Sequence, residues 1–283
     1  MLLVVRNIVV GYDGSRSSDV AVEQAISLAE LTGGRIYLAT VATATEADLN
    51  PEAPGGEPDL GEMAMEPPPA TEAGEDRDAI ELPLSLDDIH RRCQDLHVVC
   101  EEERLFGRHP GARLLRRSWL AEVLVLGRGD ERRPGRPGPN VTFLLSELVA
   151  PTLICARQYT EIRSVLIPYK LSVRGGRALA FAGRLCETLN AQLEVLICEP
   201  KRSDAHDARE AAEKFLRAFR VESSTDVALA PPSEAVQSAA MEREASLVVV
   251  PGAHKRNYLF PWQRNETLWR ALEVPGAAVL AYP

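Results

Sequence analysis

The chain has 283 residues, enough for two domains of ordinary size and too many for one small core. Hydrophobic residues make up 45%, charged residues 26%, and the net charge is −9, a globular balance without the basic excess that nucleic-acid binding requires. No apolar run reaches the ~20 residues of a membrane span, and the apolar start at Met1 is too short for a signal segment, so a cytoplasmic protein without a membrane partner is expected.

In chain order, a β-branched strand at Asn7 to Val10 ends in Gly11-Tyr12-Asp13-Gly14-Ser15. A helix follows, with Ala21, Ala25, Leu28 and Ala29 on one face and Ser17, Ser18 and Asp19 as natural caps. After a strand at Arg35 to Val41 the composition changes. From Glu46 to Asp88 there are fourteen acidic residues against Arg77 alone, so this segment carries a balance of −13 and the remainder sums to +4. Its prolines and glycines mark residues 44–80 as a loosely held insertion, or as an acidic arm for a protein partner. Further strands are expected at Leu96 to Cys100, Val123 to Leu126 and Thr152 to Ala156, with a helix placing Leu114, Leu115 and Trp119 on one face.

The pattern then repeats. Arg163 to Ile167 is again a strand, closed by Pro168-Tyr169-Lys170-Leu171-Ser172, at an offset of 157 residues from the first. At that offset and without a gap, Leu28 to Ile36 lies over Leu185 to Leu193. Strands at Val165 to Ile167, Leu193 to Cys198, Thr225 to Leu229, Leu247 to Val250 and Ala277 to Tyr282 complete a second half. Continuous apolar strands alternating with helices predict two tandem doubly wound α/β domains with mostly parallel sheets, residues 1–158 and 159–283, and any ligand at the carboxyl ends of the strands. The final strands of the halves, Thr152 to Ala156 and Ala277 to Tyr282, are the expected seam of an internal pseudo-dimer, because their edges would otherwise stay unpaired.

The run Ile8-Val9-Val10-Gly11-Tyr12-Asp13-Gly14-Ser15, with Ala121-Glu122-Val123-Leu124-Val125-Leu126-Gly127, Leu144-Leu145 and Val149 to Ile154, resembles the universal stress protein family in its tandem form. The resemblance implies the adenine nucleotide alpha hydrolase-like fold. It also implies an acidic residue after the first strand and a G-x2-G-x9-G-S/T loop whose amides cradle phosphates. Asp13 matches the acidic position, Gly11 and Val41 fall at adenine contacts, and Gly127 matches the first glycine, with Gly129 in the same loop. The rest departs from the pattern: Asp130 stands at the second glycine, and Asn140-Val141, or in another register Gly138-Pro139, replaces Gly-Ser. Arg128, Arg132, Arg133, Arg136 and Thr142 are either compensating phosphate ligands or a solvated surface. Asp13 reads equally as a nucleotide ligand and as an Asp-Gly turn.

In the second half Lys170 replaces the acidic residue, Pro251 and His254 the first two glycines, and bulky Tyr258, Phe260 and Trp262 crowd the loop, so no nucleotide is expected there. Cys93, Cys100, Cys155, Cys186 and Cys198 read as buried thiols. The five histidines show no metal spacing, and Ser15 and Ser172, outside any nucleophile elbow, read as caps.

The expectation is a non-catalytic stress-response or interaction protein, requiring no cofactor, with at most a weak site for ATP or another adenine nucleotide in the first half. A homodimer of the tandem chain and an unidentified protein partner are compatible with it. An ATP-binding, slowly hydrolysing protein is the alternative, and the phosphate loop separates the two.

Overall fold

The computed structural model describes residues 5–42, 84–106, 109–129, 137–252 and 265–283. The acidic insertion 44–80, Asp130, Arg132, Arg133, Arg136, His254, Tyr258, Phe260 and Trp262 lie outside them.

The first half runs β1 (Asn7–Tyr12), α1 (Arg16–Thr32), β2 (Arg35–Ala42), α2 (Leu86–Asp95), β3 (Val99–Phe106), α3 (Pro110–Ser118), β4 (Val123–Leu126), α4 (Pro139–Ser146) and β5 (Thr152–Ile154). The second runs β6 (Ser164–Tyr169), α5 (Val173–Leu189), β7 (Gln192–Cys198), α6 (Arg202–Leu216), β8 (Ser223–Ala228), α7 (Pro232–Glu242), β9 (Leu247–Val250), α8 (Glu266–Leu272) and β10 (Ala278–Ala281). The described strands form one sheet in the order β3-β2-β1-β4-β5-β10-β9-β6-β7-β8. Within each half all pairings are parallel, and the order reverses beside the first strand, between β1 and β4 and between β6 and β9. Each half is a doubly wound α/β unit.

Repeat and structure agree residue by residue at the start of each half. Ser15 caps α1 by accepting from Ser18 N, and Ser172, 157 residues on, caps α5 by accepting from Gly175 N. Both helices end on a left-handed residue, Gly33 (φ 66°) and Asn190 (φ 53°), the residue types that tolerate that conformation best. The cap of α1 is thus Ser15, one residue outside the helix, and Ser17, Ser18 and Asp19 lie inside its first turns.

The seam is the β5–β10 pair, antiparallel, with Val279 opposite Ile154, Leu280 opposite Leu153 and Ala281 opposite Thr152. Two apolar layers then run unbroken across it. One lies under α1, α2, α5 and α6 and holds Val10, Val125, Leu153, Leu280 and Ile167. The other lies under α3, α4, α7 and α8 and holds Leu124, Leu126, Ile154, Val279 and Val248. Alternation along each buried strand assigns its side chains to one layer or the other.

Two expectations need correction. The third strand starts at Val99 and runs to Phe106; Leu96 caps the end of α2 and His97 takes a left-handed turn (φ 55°), so Leu96 and His97 belong to the reversal before the strand. Trp119 does not share a buried face with Leu114, because α3 ends at Ser118 and Trp119 stands 66% exposed.

Candidate functional site

The carboxyl ends of β2, β1 and β4 meet at the switch point of the first half, where a doubly wound sheet leaves a crevice. Gly11, near the end of β1, lies between Ala39 and Leu126 in register. A Cβ there would come within 2.9 Å of the Leu126 side chain, so the strand ends close tightly on one another. Val41 sits in β2 one residue beyond the Tyr12–Thr40 pair, which places its backbone beside Asp13.

Asp13 Oδ1 accepts from Ser15 N at 3.0 Å, and Asp13 N donates to Ser18 Oγ at 3.4 Å. Burial alone would raise the Asp13 carboxyl, but hydrogen bonds from Ser15 and Ser18 outweigh it and hold the group below its ordinary value. The residue is therefore ionised and aimed into its own turn, with Gly14 at φ 74° completing the reversal.

Gly127 abuts the first turn of α1: a Cβ there would lie 2.3 Å from the Ser17 carbonyl oxygen. Two residues on, Gly129 N donates to Ser17 Oγ at 3.0 Å. Gly129 adopts φ 79° and packs against Gly138, whose N–H donates to the Arg128 carbonyl at 3.1 Å. The loop is thus pinched at its neck, and α4 starts from Gly138 with Pro139 at its first turn and no side-chain cap. Asn140 is exposed in that turn, and Thr142 Oγ1 donates to the Pro137 carbonyl at 3.4 Å.

The structure therefore brings Gly11, Asp13, Val41, Gly127 and Gly129 to one crevice, with Asn140 at the start of the neighbouring helix. Arg128 goes elsewhere. Alternation sends it to the layer opposite Gly127, where it is 8% exposed and its Nη2 donates to the Ala277 carbonyl at 3.4 Å.

Five contributing side chains were not legible in the sequence. Ser17 lies inside the first turn of α1, and its hydroxyl ties down the loop after β4, 112 residues away. Tyr12 Oη donates to the Leu84 carbonyl at 2.5 Å and to Asp19 Oδ1 at 3.3 Å, and Asp19 also accepts from Leu84 N, fastening the returning chain to α1. Burial, then the Asp19 charge, push the Tyr12 hydroxyl up to about 12, so it stays protonated and able to donate. Glu122 accepts from Arg6 N and Asn7 N ahead of β1; Ser246 does the same for Arg163 N and Ser164 N ahead of β6.

The second crevice differs in chemistry. Lys170 follows β6 directly and approaches Glu199 at 3.8 Å, while the Arg174 side chain lies 3.2 Å from where a Gly252 Cβ would stand. Among the described residues no group of three His, Cys, Asp or Glu could hold a metal ion, and no helix is long and apolar enough to cross a membrane.

A tandem, doubly wound α/β chain with an acidic residue after its first strand and a glycine after its fourth defines a narrow class. The universal stress protein family model matches residues 5–137, so the first half of the chain is similar to that family. No curated protein matches it. In fold the whole chain is similar to a universal stress protein from Archaeoglobus fulgidus DSM 4304 (12% identity, 98% of this chain and 96% of that one covered, TM-score 0.66). It is also similar to a functionally unknown protein from Pseudomonas aeruginosa PAO1 (12%, 98% and 92%, 0.67). A third likeness is to the cytoplasmic domain of a prokaryotic cation chloride cotransporter (11%, 98% and 94%, 0.53).

Proposed function

We propose that this chain is a non-catalytic universal stress protein that acts through protein contacts and holds an adenine nucleotide at most weakly, in the first-half crevice alone. The observation that carries the reading is the state of the phosphate loop. Gly129 N is taken by Ser17 Oγ and Gly138 N by the Arg128 carbonyl, so two amides that would cradle a phosphate already have partners. Each hydrogen bond to a charged group is worth roughly 1.5 to 3 kcal/mol, and two forgone bonds weaken binding by at least about a hundredfold. Asp13, kept ionised by the hydrogen bonds of its turn, supports a residual ribose or adenine contact.

The absence of catalysis is supported by Ser15 and Ser172, whose hydroxyls are committed to helix caps. Five free cysteines suit a reducing compartment and support a cytoplasmic location. Calorimetric titration of ATP into the intact chain, Asp13→Ala and Lys170→Ala tests the reading. Expected are weak binding by the intact chain, loss of it in Asp13→Ala and no change in Lys170→Ala. Submicromolar binding, sensitivity to Lys170 alone, or steady release of phosphate from ATP would overturn it.

A further inference from the structure

Among the described residues the sheet has two outer strands, β3 and β8, and they are built unlike. β3 reads Glu101-Glu102-Glu103-Arg104 through its middle, and such charge keeps an unpaired edge from accepting another strand. β8 reads Ser223-Ser224-Thr225-Asp226-Val227-Ala228, and its one charge, Asp226, is held by Arg243 at 2.6 Å. This edge lacks the guard that β3 carries.

The ladder to β7 decides which groups of β8 stay open. Leu193 N donates to the Glu222 carbonyl at 2.9 Å and Glu199 N to the Ala228 carbonyl at 3.3 Å, in a parallel register that sets Leu193 beside Ser223. Even-numbered residues of β8 therefore bond inward, and the N–H and C=O groups of Ser223, Thr225 and Val227 point outward. The side chains of these three share the α6 face, where Thr225 Oγ1 donates to Glu213 at 2.7 Å, whereas Asp226 turns to the other face and Arg243. On the α6 face a cavity of about 280 Å³ opens beside the start of β8, with Leu216, Phe219 and Val221 as its apolar lining. At the far end of the strand Val227 and Leu229 stand 41% and 46% exposed.

We propose that β8 pairs antiparallel with β8 of a second copy of this chain, about a two-fold axis through Thr225. Ser223 then faces Val227 and Thr225 faces Thr225, so every outward N–H meets a carbonyl of the other copy. Leu229 falls across from Val221, on the same face, at the mouth of the other copy's cavity. Charge selects this register. An axis through Ser224 would set Asp226 against Glu222, and one through Asp226 would set that residue against itself; through Thr225, Asp226 meets Ser224 and Glu222 meets Ala228. The pairing joins two ten-stranded sheets into one and does not depend on the nucleotide reading.

Sedimentation velocity and amide hydrogen exchange of the full chain at rising concentration test this. Expected is a reversible monomer–dimer equilibrium in which the Ser223, Thr225 and Val227 amides become protected as the dimer forms. Leu229→Asp, at an exposed position just outside the strand, should weaken association by at least about tenfold and leave the thermal unfolding of the monomer unchanged, because an apolar contact made twice is replaced by a charge. Ser224→Asp sets like charges opposite each other twice and should weaken the dimer several-fold; Ser224→Lys sets a cation against Asp226 twice and should tighten it several-fold. Should Leu229→Asp not fold, the two Ser224 variants decide alone. A chain that stays monomeric at every concentration, whether its β8 amides exchange freely or are covered by another segment, would overturn the proposal. So would assembly that grows past the dimer, a dimer in which those three amides exchange as in the monomer, or Ser224 variants that shift association in the same direction.

Discussion

Asp13 and Gly127 owe their places to short-range punctuation, which is why both could be read from the chain. An apolar run followed by Gly-Tyr-Asp-Gly-Ser must turn, and a four-residue apolar strand must stop at its glycine. Ser17 and Arg128 could not be read in that way, since each acts on a residue more than a hundred positions distant. Two outcomes follow at this scale. Gly127→Ala drives a methyl group into the Ser17 carbonyl and should destabilise the protein by roughly 1 to 3 kcal/mol, measured by urea unfolding. Asp13, lowered by its turn, stabilises the fold above its unfolded value of 3.8, and this contribution is lost as pH falls below 3.8 toward the folded value. Asp13→Asn should therefore flatten the acid limb of a stability profile in that window. Asp19, raised chiefly by burial, has the opposite sign and should persist in the variant.

At the level of elements, β4 and β9 matched their expected bounds end to end, because a run of four apolar residues buried on both faces has no other place to go. The third strand was misplaced for the converse reason. β3 forms an edge, so much of it faces water and reads Glu101-Glu102-Glu103-Arg104, while the apolar Leu96 before it lies in the turn. Charge on an edge strand hides it from hydrophobic patterning and also discourages pairing with other chains. The first turn of α5 offers a sharper test, since its adjacent glycines have opposite surroundings. A Cβ on Gly175 would lie 2.2 Å from the Lys170 carbonyl, whereas one on Gly176 meets nothing within 4 Å. Gly176→Ala should stabilise by about 0.5 to 1 kcal/mol through the lower entropy of the unfolded chain, and Gly175→Ala should destabilise, both read from denaturant midpoints.

For the whole molecule, the pairing of final strands was legible because each half ends on an apolar strand that needs a neighbour. Ala278 N and Tyr282 N donate toward β9, so strand alternation turns the N–H groups of Val279 and Ala281 toward β5. Val279→Pro removes one seam bond and introduces a ring at the interface, at a cost of roughly 3 kcal/mol or more. Calorimetry should show one cooperative transition for the parent chain and two for this variant, the halves unfolding separately. A single transition at the parent temperature would mean that the helices, with α1 against α5, hold the halves together without the strands.

Strand direction reverses at that seam, and this gives the molecule two unlike ends. The crevice that carries Asp13 opens on one rim of the sheet, and its counterpart with Lys170 and Arg174 opens on the opposite rim. The two halves thus present unlike strand ends, Asp13 on one rim and Lys170 with Arg174 on the other. Being on opposite rims, either set of strand ends can be rebuilt by substitution without reshaping its twin.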